Sequence, residues 1–174
     1  KWGYEAFSRD GETVAMAEAD PKIDGRAFIQ RERDPFSFVD GDDVRDPESG
    51  AVHPAFVDIL NRFGMTYADV STSGSGVHAN YEGELPNDIP EAKWILDDEP
   101  WGTNDDLPAI EIYSNTHVCV TTGEKLPGSA DDVREWDADA VRDVLDEAGE
   151  LRQTTTDRTD FDAEEYEPQA TDAD

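Results

Sequence analysis

The chain is short of positive charge and almost without sulfur. Fourteen lysines and arginines stand against 43 aspartates and glutamates, a formal net charge of −29, and only four residues are lysine: Lys1, Lys22, Lys93 and Lys125. Taken at face value, a chain this acidic repels nucleic acid. The single cysteine, Cys119, excludes an internal disulfide and a multi-cysteine zinc site. A signal-peptide pattern is missing, and so is an apolar run long enough to cross a membrane; a soluble, cytoplasmic protein is the expectation. The 174 residues suit one domain with a tail. A first residue of Lys1 rather than Met leads us to expect a segment of a longer protein.

Three explanations of the acidity compete: disorder, a cationic partner, and adaptation to concentrated salt. Four tryptophans, seven phenylalanines and well-spaced apolar runs argue against disorder for most of the chain. A basic partner calls for one acidic block, whereas these acids are dispersed. Dispersal with few lysines fits a halophilic surface, because the Debye length falls to about 3 Å at about 1 M salt. Under that screening net charge says little about partners.

Asp34-Pro35 punctuates the chain before Phe36-Ser37-Phe38-Val39-Asp40, a strand of high β-propensity. Before it, Trp2, Tyr4, Phe7 and Thr13–Met16 read as a hairpin around Asp10-Gly11. Pro54, then Phe56, Ile59, Leu60 and Phe63, then Gly64 predict a helix with both ends marked. Residues 67–71 and 77–81 read as strands joined by the turn Ser73-Gly74-Ser75-Gly76. Residues 86–108 read as an elaborated loop with one short element near 92–96. Residues 109–113 and 117–121 read as a further hairpin, and 131–136 and 137–148 as helices, the second capped by Asp137 and ended by Gly149. From Glu150 onward nine acids accompany two arginines, which reads as a solvated tail or linker. The expected division is a catalytic domain over 1–149 and an acidic, disordered tail over 150–174. This order of elements predicts an α+β domain with a largely antiparallel sheet.

Three segments carry candidate chemistry. Asp40 and Asp42 lie two apart at the end of a strand, so both carboxylates point to one side. Such a pair suits a hard divalent cation completed by substrate phosphates; the plainer reading is a solvated acidic turn. Ser73-Gly74-Ser75-Gly76-Val77-His78 interleaves hydroxyls with glycines that free backbone amides for an anion. An ordinary β-turn is its plainer reading. Glu111, between Ile110 and Ile112, faces away from its apolar neighbours, toward solvent or into a cleft.

Taken together, Phe38-Val39-Asp40-Gly41-Asp42-Asp43, Ser73-Gly74-Ser75-Gly76-Val77-His78, and Glu111-Ile112-Tyr113 running on to Val120-Thr121-Thr122-Gly123 resemble the archaeo-eukaryotic primase superfamily. The likeness covers residues 34–128 and points to primase-polymerase domains of halophilic archaeal or viral type, whose core is an RRM-like, largely antiparallel sheet with flanking helices. The resemblance implies that Asp40, Asp42 and Glu111 are catalytic and hold two Mg²⁺ or Mn²⁺ ions. It implies that Ser73, Ser75, Gly76 and His78 bind the phosphates of a nucleoside triphosphate. The expected partners are a DNA template and primer, with a helicase domain in the parent protein. Related domains commonly carry an arginine where this chain has Thr116-His117, so His117 is the expected replacement as a triphosphate or template contact, weaker at neutral pH because imidazole is largely uncharged there. The zinc element of some relatives cannot be built with one cysteine.

Two rival readings are a catalytically degenerate DNA-binding replication module and a metal-dependent phosphodiesterase or nuclease. Of the remaining residues, His53 is expected to start a helix and Cys119 to be a small buried apolar residue. Trp94 and Trp101 fit packing under a loop better than base stacking. Arg31 and Arg33 are candidate template-phosphate contacts.

Overall fold

The computed structural model describes residues 26–30, 34–86, 89, 91–114 and 117–151. The hairpin expected near the N-terminus, Arg31, Arg33, Thr116 and the acidic tail beyond residue 151 lie outside the described residues.

The elements, in chain order, are β1 (Arg26–Ile29), β2 (Phe36–Asp42), α1 (Pro54–Phe63), β3 (Ala68–Val70), β4 (Val77–Glu82), β5 (Glu91–Ile95), β6 (Ala109–Tyr113), β7 (Val118–Thr121), β8 (Arg134–Glu135) and α2 (Ala138–Ala148). The main sheet runs β3-β4-β2-β6-β5, all antiparallel, with β8 beside β4 in parallel. A separate ribbon pairs β1 with β7. The architecture is α+β with a largely antiparallel sheet, as the order of elements predicts.

Strict alternation sorts the sheet's two faces. Val39, Val77, Ala79, Tyr81, Ala92, Ile110 and Ile112 turn to one side and join Phe56, Ile59, Leu60 and Phe63 of α1 and Val141, Val144 and Leu145 of α2 in one buried core. Helix α1 starts where His53 accepts the Ala55 amide on Nδ1 at 3.2 Å, with Pro54 at its first position. Helix α2 starts at Asp137, whose carboxylate accepts the Asp139 and Ala140 amides, and ends at Gly149 in the left-handed conformation. Both ends match the sequence expectation. Leu151 still packs against the core.

Two expectations fail. Strands β6 and β7 do not form a hairpin, because both edges of β6 are already taken by β2 and β5; β7 crosses to the other face and pairs β1. Nor is 131–136 helical. Strand β3 covers only Val77–Ala79 of β4, which leaves Tyr81 and Glu82 open for Arg134 and Glu135. Extending there lets Trp136 bury itself between Phe63 and Tyr81, with ring centroids 6.0 and 5.8 Å away. Burial of a large ring outweighs the weak local helix signal.

Gly41 shows how tightly the core is pressed onto β2. A Cβ there falls 2.6 Å from Phe56 Cε2 and 2.8 Å from Val44 Cγ2, so only glycine lets α1 lie at this depth. Replacing it with alanine forces ring and strand apart. Gly41→Ala is expected to lower stability by about 1–3 kcal/mol, read as a lower urea midpoint at unchanged slope; an unchanged midpoint contradicts this packing.

Candidate active site

The face opposite the core carries the polar residues of the strands. Register places them in one row across the sheet: Asp69 of β3 opposite His78 of β4, His78 opposite Asp40 of β2, Asp40 opposite Glu111 of β6, and Glu111 opposite Lys93 of β5. The side chains follow the register. His78 Nε2 lies 3.4 Å from Asp40 Oδ1, His78 Nδ1 lies 3.8 Å from Asp69 Oδ1, and Glu111 is ion-paired with Lys93 and accepts the Tyr113 hydroxyl. Asp42, two residues on from Asp40, shares its face at the exposed end of β2.

The β1–β7 ribbon covers part of this face. Gln30 donates from Nε2 to the carbonyls of Phe36 and Tyr113, at 2.6 and 3.2 Å, and its amide donates to the His117 carbonyl at 2.8 Å. Cys119 is buried here, as expected of a small apolar residue, and burial, reinforced by the charge of Asp40, pushes its thiol up to about 12. His117 stacks flat on Tyr113, with centroids 3.6 Å apart and ring planes 6° apart, and lies against Phe38 at 5.8 Å. Burial lowers its basicity, opposed by Glu91.

The covering has electrostatic consequences. Asp40 is raised to about 7, first by burial and then by repulsion from Asp42, with Lys93 acting the other way. His78 is lowered by burial, while Asp69, the Val120 carbonyl and Asp42 raise it. These are environments in which a carboxylate lacks a counter-charge, and a cation among them relieves the repulsion.

The Ser-Gly turn is built differently from expectation. Its amides point inward: Gly74 N donates to the Ser71 carbonyl at 3.0 Å, Gly76 N to Ser71 Oγ at 2.9 Å, and Ser75 N to Ser73 Oγ at 3.3 Å. A Cβ on Gly76 falls 2.8 Å from the Gly41 carbonyl oxygen, so this glycine serves a close approach to β2. Outward, the turn presents hydroxyls, with Ser73 Oγ 2.8 Å from Ser71 Oγ and 3.0 Å from Ser75 Oγ. Arg45 lies against it, donating from Nη1 to the Gly74 carbonyl at 2.6 Å and from its amide to the Ser75 carbonyl at 2.7 Å. The Gly74, Ser75 and Gly76 amides are thus used within the turn, and this corner offers an anion hydroxyls and a guanidinium.

Residues 97–106 brace the end of β2. Asn104 Nδ2 donates to the carbonyls of Asp43 and Arg45 at 2.9 and 3.1 Å, Thr103 Oγ1 donates to Asp46 at 2.7 Å, and Trp101 Nε1 donates to the Ala51 carbonyl at 3.0 Å. Asp43 sits there at φ +51°, a conformation that Asp tolerates better than most residues. His53, besides starting α1, meets Trp101 edge-on and Asp97 at 3.3 Å. Trp101 is thus a packing residue in this structure, and Trp94 packs against the core.

The structure accordingly brings Asp40, His78 and Glu111 together in one row, with Asp42 beside them, and sets Ser73, Ser75 and Gly76 on the turn leading into β4. Among the described residues no three carboxylate, imidazole or thiol groups converge closely enough to hold a metal ion by themselves. Four neighbours were missed by sequence reasoning: Asp69, Lys93, Tyr113 and Arg45. Asp69 and Lys93 give the same signal as Glu111, a charge between apolar residues in a strand, and Tyr113 shares the face of Glu111 two residues on; for Arg45 no local pattern exists. No helix among the described residues is long and apolar enough to cross a membrane.

Because Asp40 is raised in the fold, it contributes stability in its protonated form. That contribution is complete below about pH 4 and is lost as pH rises through about 7. Asp40→Asn is therefore expected to be more stable than the parent chain in metal-free buffer, by a margin that grows from pH 4 to pH 7 and reaches at most about 4 kcal/mol. Thermal melts across that range check it; a margin independent of pH contradicts the burial argument.

No family model matches the chain. Sequence comparison finds it similar to the DNA primase-polymerase of Nitratiruptor phage NrS-1, 32% identical over 113 residues, which are 65% of this chain and 14% of the phage protein. The chain thus spans only a small part of that relative's length. The similarity to part of a DNA primase-polymerase points in the same direction as the three-motif resemblance.

Proposed function

We propose that this chain is a template-directed nucleotidyl-transfer module of the primase-polymerase family, extending a DNA primer from nucleoside triphosphates. The observation that carries the reading is the position of Asp40, the direct register partner of both His78 and Glu111, at the end of a strand that abuts the Ser-Gly turn. Similarity to a DNA primase-polymerase supports the same reading.

The donor set suits Mg²⁺ or Mn²⁺. Asp40 and Asp42 are hard oxygen donors on one face, and the repulsion between them is what a divalent cation relieves. With too few converging groups for a protein cage, phosphate oxygens would complete the coordination. Two such ions would activate the 3′-hydroxyl and stabilise the departing pyrophosphate. Glu111 would join Asp40 and Asp42 once released from Lys93, leaving that ammonium free for a phosphate. His78, Ser73, Ser75 and Arg45 would orient the triphosphate at the turn, where Gly76 sets the close approach to β2. His117, stacked on Tyr113, would act by stiffening the aromatic wall beside Glu111. The acidic exterior would be the solvent-facing surface of a cytoplasmic protein working in concentrated salt, and a helicase would lie elsewhere in the parent protein.

The test is a 5′-labelled primer on a DNA template with nucleoside triphosphates and Mg²⁺ or Mn²⁺ in molar KCl. Lengthening is expected. Asp40→Ala and Asp42→Ala should each reduce it at least about 100-fold while retaining cooperative melting. Shortening of the primer supports a nuclease instead, and binding of DNA without either change supports a degenerate replication module.

A further inference from the structure

Asp69 is a fully buried carboxylate, 0% exposed, and its two oxygens have different fates. Oδ2 accepts the Thr122 and Gly123 amides at 2.8 and 3.0 Å and lies 3.4 Å from the Thr122 hydroxyl. Those bonds tether the chain beyond β7 to β3. Oδ1 is buried without a hydrogen-bond partner. His78 Nδ1 is likewise buried without one, and the two atoms face each other at 3.8 Å. Leaving either polar atom unpaired inside a protein is costly, so two such atoms set opposite each other call for a common explanation. Closing the gap by roughly 0.8 Å makes an ordinary Nδ1–H···Oδ1 hydrogen bond, and bonds of this kind are often long before substrate binds. Since Asp69 and His78 are register partners on β3 and β4, the sheet itself brings them together.

We propose that Asp69 is a positioning residue for His78, holding the Nδ1 hydrogen on its free oxygen and so aiming the Nε2 edge toward Asp40 and the mouth of the site. This rests on the reading of His78 as a triphosphate contact. A carboxylate behind Nδ1 supports a ring that donates a charge-assisted Nε2–H bond to a phosphate oxygen. An amide in its place would itself donate to Nδ1 and leave the ring a neutral donor.

Asp69→Asn separates this role from the structural one. Its oxygen still accepts the Thr122 and Gly123 amides, while its NH₂ group faces Nδ1. The chain has three histidines, His53, His78 and His117, so long-range ¹H–¹⁵N spectra resolve each ring. In the parent chain the His78 Nδ1 hydrogen is expected to be present and slow to exchange; in Asp69→Asn the hydrogen moves to Nε2. Titration with a fluorescent deoxynucleoside triphosphate and Mg²⁺ should show about 10–100-fold weaker binding for Asp69→Asn, with KM for extension raised more than kcat is lowered.

A bare Nδ1 in the parent chain overturns the proposal, and that measurement decides alone if the variant does not fold. Unchanged binding by Asp69→Asn alongside weakened binding by His78→Ala also overturns it. Unchanged binding by both variants instead removes His78 from the triphosphate site and defeats the functional reading, while the spectra still decide whether Asp69 holds the ring.

Discussion

The site depends on the register of β2 between β4 and β6. Asp40 is opposite His78 on one side and Glu111 on the other, and a slip of one residue on either side would turn one of these groups into the core. The register is held from the apolar face. Val39 is fully buried there, Gly41 admits the Phe56 ring, and Ile110, Ile112, Val77 and Ala79 have no solvent-facing alternative. Core packing that involves none of the polar residues thereby decides which polar residues meet.

Burying acids is costly, and the row is arranged around that cost. From Asp69 to Lys93 it runs carboxylate, imidazole, carboxylate, carboxylate, ammonium. One of only four lysines in the chain stands at its end. Asp69 is sustained by two backbone amides and Glu111 by Lys93 and Tyr113, whereas Asp40 has a burial-weakened imidazole and the lesser pull of Lys93, and is pushed upward. The least compensated carboxylate is the central one. Dispersed surface acids are solvated and screened by salt; the acids of this row are partly removed from both.

The ribbon of β1 and β7 covers part of the polar sheet face. It buries Cys119, brings His117 onto Tyr113 and Phe38, and carries Thr122 and Gly123 to Asp69. Without it the row lies open to solvent, and burial, the first cause of the shifts at Asp40 and His78, is removed. At the other end, residues 97–106 hold the turn after β2 through Asn104. The catalytic reading needs both supports, because carboxylates select a cation only when their positions are fixed.

Local pattern alone determined much of this protein. Pro54, the Phe56-Ile59-Leu60-Phe63 spacing and Gly64 specify α1, and Asp137 and Gly149 specify the ends of α2, because caps and periodicity act within a few residues. Asp40, Asp42, His78 and Glu111 were legible as polar residues in apolar strands, whose alternation dictates a shared face. Tertiary structure decided what each strand pairs with. It sent β7 to β1 because β6 had no free edge, and it drew Arg134-Glu135 into the sheet to bury Trp136. It turned the glycine amides of the 71–76 turn inward, and it set Asp69, Lys93 and Arg45 beside residues distant in the chain, as in the span of 54 positions from Asp69 to Gly123. Pairing partners are chosen by which edges remain open and which rings must be buried, and both are properties of the assembled sheet rather than of any segment in it.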